Sequence, residues 1–211
     1  MTDEKQAERN KAAPDHRSAR GPLLPDALIW DRYRFKKQPY AMDRLLDLCL
    51  RVLSGETDCP PTKPTSRPGG YVAVSLHGLL YTLVYLWGVL RAATPDFLPS
   101  LCLREQPEER VWLLGYSVPL FSVSPACTAD VMRDLAPAAA AGGFVLSHRV
   151  EGEKELFLLT LSRYDCETFS VFRPEPMPLS LVQIVLCAKR DAGLEVVCRT
   201  EELLRSFSCE G

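Results

Sequence analysis

The stretch Tyr71-Val-Ala-Val-Ser-Leu-His-Gly-Leu-Leu-Tyr-Thr-Leu-Val-Tyr-Leu-Trp-Gly-Val-Leu90 carries no charged residue over its whole length. It is about as long as the ~20 residues that a membrane-crossing helix requires. Against a membrane role stand Gly78 and Gly88, polar Ser75, His77 and Thr82, three tyrosines, and the lack of a second hydrophobic span. These features suit a helix buried between other elements of a soluble fold. A soluble protein and no membrane partner are therefore expected, and His77 is read as a core histidine with a hydrogen-bond partner, not as a catalytic group.

A helix that is apolar all round needs cover, and the chain beyond Pro95 and Pro99 supplies it. Residues 98–103 and 111–123 are short runs of β-forming composition, separated by polar Glu105-Gln-Pro-Glu-Glu-Arg110, which suits a hairpin. Ser124-Pro125 and then Cys127-Thr-Ala-Asp130 give helix-start chemistry, with Ser124 or Thr128 as N-cap. Val131, Met132, Leu135 and Ala138 form its apolar side, Pro137 is where it is expected to shorten or kink, and Gly142-Gly143 ends it. Residues 144–150, 156–161 and 168–172 read as three more strands, joined by Glu151-Gly-Glu-Lys154 and Ser162-Arg-Tyr-Asp165. Residues 179–188 and 194–198 read as two further strands, before a short helix at 200–205. The fold class is α+β: a mixed or antiparallel sheet of about five to seven strands packed against a long apolar helix and a shorter second helix.

Towards the N-terminus the pattern thins. Residues 1–25 are charged and Pro-punctuated with almost no large apolar residue before Leu23, and read as a disordered arm. Residues 26–58 form a docking segment and an amphipathic helix, with Leu45, Leu46, Leu48, Cys49, Val52 and Leu53 on one side and Asp43, Arg44, Asp47 and Arg51 mainly on the other. Residues 59–70 are a Pro-rich linker and 71–211 the α/β core. In the docking segment Arg32, Tyr33, Arg34, Phe35, Lys36 and Lys37 interleave basic and aromatic groups, which suits contact with RNA or a partner through stacking and phosphate pairing. The same composition equally suits a solvated segment pinned to the domain by its aromatics, the commoner outcome for a single run of this kind.

A net charge of −2 and a pI near 6.0 give no global field that would hold the chain on nucleic acid or an anionic membrane, so such contact needs a local patch. The first residues, Met1-Thr-Asp-Glu-Lys-Gln6, carry no apolar run of signal-peptide type, which points to an intracellular site, nucleus or cytoplasm, and reduced thiols. Cys49, Cys102, Cys187 and Cys198 sit in apolar or alternating stretches and no Cys-x-x-Cys occurs, so core thiols are expected and no metal or other cofactor.

Three passages together resemble the C-terminal domain of tRNA-splicing endonuclease subunits, in particular the small non-catalytic subunit of the eukaryotic enzyme. Gly78-Leu-Leu-Tyr-Thr-Leu-Val-Tyr-Leu-Trp87 is similar to its opening helix. Pro119-Leu-Phe-Ser-Val-Ser-Pro125 before Val131-Met-Arg-Asp-Leu135 is similar to its strand-to-helix passage. Leu156-Phe-Leu-Leu-Thr-Leu-Ser-Arg-Tyr-Asp-Cys-Glu-Thr-Phe-Ser-Val-Phe172 is similar to its hairpin. The resemblance spans residues 71–178, and the Lys-Phe-Gly turn of the catalytic relatives is missing after Gly142-Gly143. It implies a structural subunit of an RNA-processing complex.

The catalytic relatives use a histidine base, a tyrosine and a lysine to drive attack of the ribose 2′-hydroxyl on the neighbouring phosphate. Tyr116, His148 and Lys189 follow that order but lie outside the family's local motif, so His148 is read as an exposed strand-end residue and no catalytic residue is assigned. No Gly-x-Ser-x-Gly, Gly-x-x-x-x-Gly-Lys or His-Glu-x-x-His occurs. Three functions follow: a non-catalytic subunit, an interaction adaptor of viral or cell-division type without an RNA role, and a degenerate nuclease. Leu181, Ile184 and Leu186, read as part of a near-continuously apolar strand, are the expected interface to a partner subunit.

Overall fold

The computed structural model describes residues 37–56, 69–164 and 178–194. In chain order they form β1 (Gln38–Ala41), α1 (Met42–Glu56), β2 (Tyr71–Val74), α2 (Leu76–Ala93), β3 (Ser100–Gln106), β4 (Val111–Pro119), α3 (Pro125–Gly142), β5 (Val145–Glu151), β6 (Lys154–Tyr164) and α4 (Pro178–Asp191). The fold is α+β, with a six-stranded, wholly antiparallel sheet. The arm at 1–25, the linker up to residue 68, and the strand and helix readings at 168–172, 195–198 and 200–205 lie outside the described residues.

β6 organises the sheet. Along one edge it pairs with β4 from Lys154 to Ser162. Along the other it pairs with β5 from Lys154 to Thr160 and then, through Arg163 and Tyr164, with β2, which carries β1. Directly opposed residues in antiparallel strands share a face. One face therefore bears Leu101, Trp112, Leu114, Tyr116, Val118, Phe157, Leu159 and Leu161, and these merge into one core with the helices. The opposite face bears a separate small cluster of Leu113, Leu156 and Leu158, with Cys102 and Val111 against it. On that side Arg104 of β3 reaches Glu151 of β5 at 2.5 Å although β4 and β6 lie between them, so the sheet curls over this cluster.

The uncharged stretch is not one helix. Tyr71-Val-Ala-Val74 is a strand, and the helix starts only after Ser75, whose hydroxyl accepts from the Gly78 N–H as an N-cap. Alternation decides it: Val72 and Val74 are fully buried while Tyr71 and Ala73 are half-buried, the period-2 pattern of a strand. α2 is long and apolar enough by length and composition to cross a membrane, and 72% of it is buried inside the protein. Its two glycines allow close helix contacts. A Cβ on Gly78 would lie 2.8 Å from the Gly142 Cα of α3, and one on Gly88 2.7 Å from the Ala192 Cβ beyond α4.

Residues 179–188 are a helix, not a strand. Leu181, Val185, Ala188 and Ala192 recur at helical spacing and are buried, and Lys189 and Arg190 sit in the last turn, where cations suit the helix dipole. The apolar, β-branched composition concealed that period. α3 keeps its full length through Pro137, capped by Ser124 and ended by Gly143 in the left-handed region at φ 78°. α1 contributes Met42, Leu45, Leu46, Cys49, Val52 and Leu53 to the same core, with Leu48 packed at its margin.

Candidate interaction surface

Six large apolar residues are exposed among the described ones: Phe97, Leu98, Phe121, Val145, Val150 and Tyr164. The strand register sorts them. β3 begins at Ser100, opposite Ser117 near the end of β4; β4 ends at Pro119, opposite Lys154 at the start of β6; and Lys154 also faces Glu151 at the end of β5. Phe97 and Leu98 just before β3, Phe121 just after β4 and Val150 near the end of β5 therefore sit at one end of the sheet.

Phe121 is the most exposed of them, at 89%. Its φ of 62° is left-handed, a conformation that costs a bulky residue of order 1 kcal/mol or more. The turn imposes it. Pro119 has no N–H and ends the strand, the Leu120 N–H donates to the Glu153 carbonyl at 2.8 Å, and the Ser122 N–H returns to the Pro119 carbonyl at 3.2 Å. The strand reading of residues 111–123 ran through this turn and hid Phe121. Pro119 was the signal that could have exposed it.

The residues read as a possible nuclease constellation do not converge. Tyr116 is fully buried, its ring 5.9 Å from Trp87, and burial holds its phenol well above the ordinary range. Phe157 lies between Tyr116 and His148 in one row across β4, β6 and β5, which sets them two strand spacings, about 10 Å, apart. His148 is not an exposed strand end. It lies in mid-strand, half-buried, its ring 4.8 Å from Phe157 and its Nε2 3.1 Å from an oxygen of buried Glu155. It faces the helix side of the sheet, as Leu146 and Val150 do, where α3 packs against β5. Lys189 is buried on α4.

The predicted partner interface is corrected in the same way. Leu181 and Ile184 are buried in the chain's own core and Leu186 is packed against it, because α4 lies along α2. Of the basic-aromatic run, Arg32, Tyr33, Arg34, Phe35 and Lys36 lie outside the described residues. Lys37 is exposed, and its side chain runs over the end of α3, where a Cβ on Gly143 would lie 2.2 Å from its Cε. A cation suits that helix C-terminus.

Two tyrosines of α2 fix the flanking helices. Tyr81 Oη donates to Asp191 Oδ2 at 3.0 Å, Tyr85 Oη to Asp134 Oδ2 at 3.3 Å, and their rings stack at 6.0 Å. Each aspartate is also held by the arginine before it, Arg190 and Arg133. Burial first, and then the Asp191 carboxylate, push the Tyr81 phenol far up. No group of three or more His, Cys, Asp or Glu side chains able to hold a metal ion occurs among the described residues. No protein-family model matches the chain, and no curated protein does.

Proposed function

We propose that the chain is a non-catalytic structural subunit of a multiprotein assembly, binding other protein subunits through the end of its sheet. The observation that carries this is Phe121, exposed and held in a strained conformation by a turn that its own folding does not need to keep apolar. Aromatic anchors on rigid turns are what protein interfaces use. An RNA-processing assembly is the specific reading. It is supported by the order α2, β3, β4, α3 ahead of β6, in which the helix and strand-to-helix passages keep their places and residues 156–164 open the hairpin passage, and by the basic-aromatic run that would contact RNA. The site of action is then inside the cell, in nucleus or cytoplasm, with no membrane partner.

The test is purification of the tagged full-length chain from its native source, with the co-eluting proteins and RNA identified. Other subunits at fixed stoichiometry, lost on Phe121→Ser, are expected. A complex without RNA would replace the RNA-processing reading with the adaptor one. Cleavage of intron-bearing RNA that disappears in His148→Ala would establish a nuclease instead.

A further inference from the structure

We propose that two copies of the chain join β5 to β5 about a twofold axis through Val150, extending the sheet across the pair. The proposal builds on the reading of the sheet end as an interface and names a second copy as one occupant. β5 pairs with β6 on one side, and among the described residues no strand pairs with its other side. Such an edge presents backbone N–H and C=O groups to a new strand. Arg149, Val150 and Glu151, its last three residues, are all exposed, Val150 at 57%.

Symmetry and charge select the register. If the helix-bearing face is to continue across a twofold junction, a residue must lie on the axis, because facing residues of antiparallel strands share a side. An axis at Arg149 would oppose two guanidinium groups. One at His148 would face Arg149 with Ser147 and Glu151 with Val145, leaving both charges without a counterpart. An axis at Val150 sets Arg149 against the partner's Glu151 twice and the apolar Val150 against itself. Arg104 occupies Oε2 of Glu151 at 2.5 Å, and the carboxylate's second oxygen is available to the partner's arginine. Three paired residues fall short of the roughly 800 Å² per partner that a stable interface takes. The contact is therefore weak, and association only in the upper micromolar range is expected.

Sedimentation velocity on the full chain from about 1 to 100 µM tests this and should show a concentration-dependent dimer. Arg149→Glu alone and Glu151→Lys alone each put like charges across the junction and should weaken association about tenfold or more. Mixed in equal amounts, one variant brings two carboxylates and the other two cations, so both cross-strand pairs become attractive and a heterodimer forms. Circular dichroism melts of each variant separate lost association from lost folding. A wild-type chain that stays monomeric at the top concentration overturns the proposal, as do a single variant that dimerises like wild type and a mixture that fails to associate. A monomer that still retains other subunits through Phe121 would remove the twofold pair and leave the subunit reading standing. A dimer that retains none would do the reverse.

Discussion

Phe121 carries two costs in one residue, a left-handed backbone and an aromatic ring in water, and substitutions separate them. Glycine adopts φ near 62° without the Cβ penalty, so Phe121→Gly is expected to leave thermal stability unchanged or raise it by up to about 1 kcal/mol while abolishing retention of partner subunits. A melting curve beside a pull-down shows both. The opposite case is Gly115 in β4. A Cβ there would lie 1.9 Å from the Phe157 carbonyl oxygen, and backbone cannot step aside as a flexible side chain can. Gly115→Ala should cost about 2 kcal/mol or more, read from urea unfolding, and a loss below about 0.5 kcal/mol would contradict the packing described.

Among the elements, α2 is joined to its neighbours by matched tethers, Tyr81 to Asp191 at the end of α4 and Tyr85 to Asp134 of α3. Tyr81→Phe and Tyr85→Phe each remove a donor from a nearly buried carboxylate and should cost about 1 kcal/mol apiece. Denaturant melts of the two single variants and the double would show the costs. The elements legible in the sequence were those with a strong local signal: α1 from its apolar side, the β3–β4 and β5–β6 hairpins from their polar turns, α3 from Ser124 and Gly143. β2 was absorbed into α2 because Tyr71-Val-Ala-Val74 is as uncharged as the helix that follows, and a continuous apolar run carries no period by itself. α4 was misread because Val182, Ile184 and Val185 have strand-forming side chains, whereas its helical period is set by what α2 covers, a tertiary fact. Of the candidate surface almost nothing was legible. Phe97 and Leu98, Phe121 and Val150 lie on separate stretches of sequence and come to one end of the sheet only through the strand register.

For the whole molecule, burial lowers the pKa of His77 from its ordinary 6.5. The folded ring thus binds its proton at lower pH than the unfolded one. Above about pH 6.5 both are neutral and the group contributes nothing; as pH falls through that value the unfolded chain takes up the proton first and stability drops. Melting temperature should therefore fall from pH 7 to 5.5 more steeply in wild type than in His77→Gln, and parallel slopes would remove His77 as the cause. The burial of α2 also predicts a protein that stays in the supernatant without detergent; recovery only with membranes would contradict it. The long reach of the sheet has a consequence during synthesis. Val72 of β2 pairs with Arg163 of β6, about 90 residues later in the chain. At ribosomal rates of roughly 5–20 residues per second, α2 emerges several seconds before α4, the helix that lies along it. Throughout that interval the nascent chain displays an uncharged segment of membrane-spanning length, and its safe passage rests with whichever chaperone or targeting factor meets it at the exit tunnel.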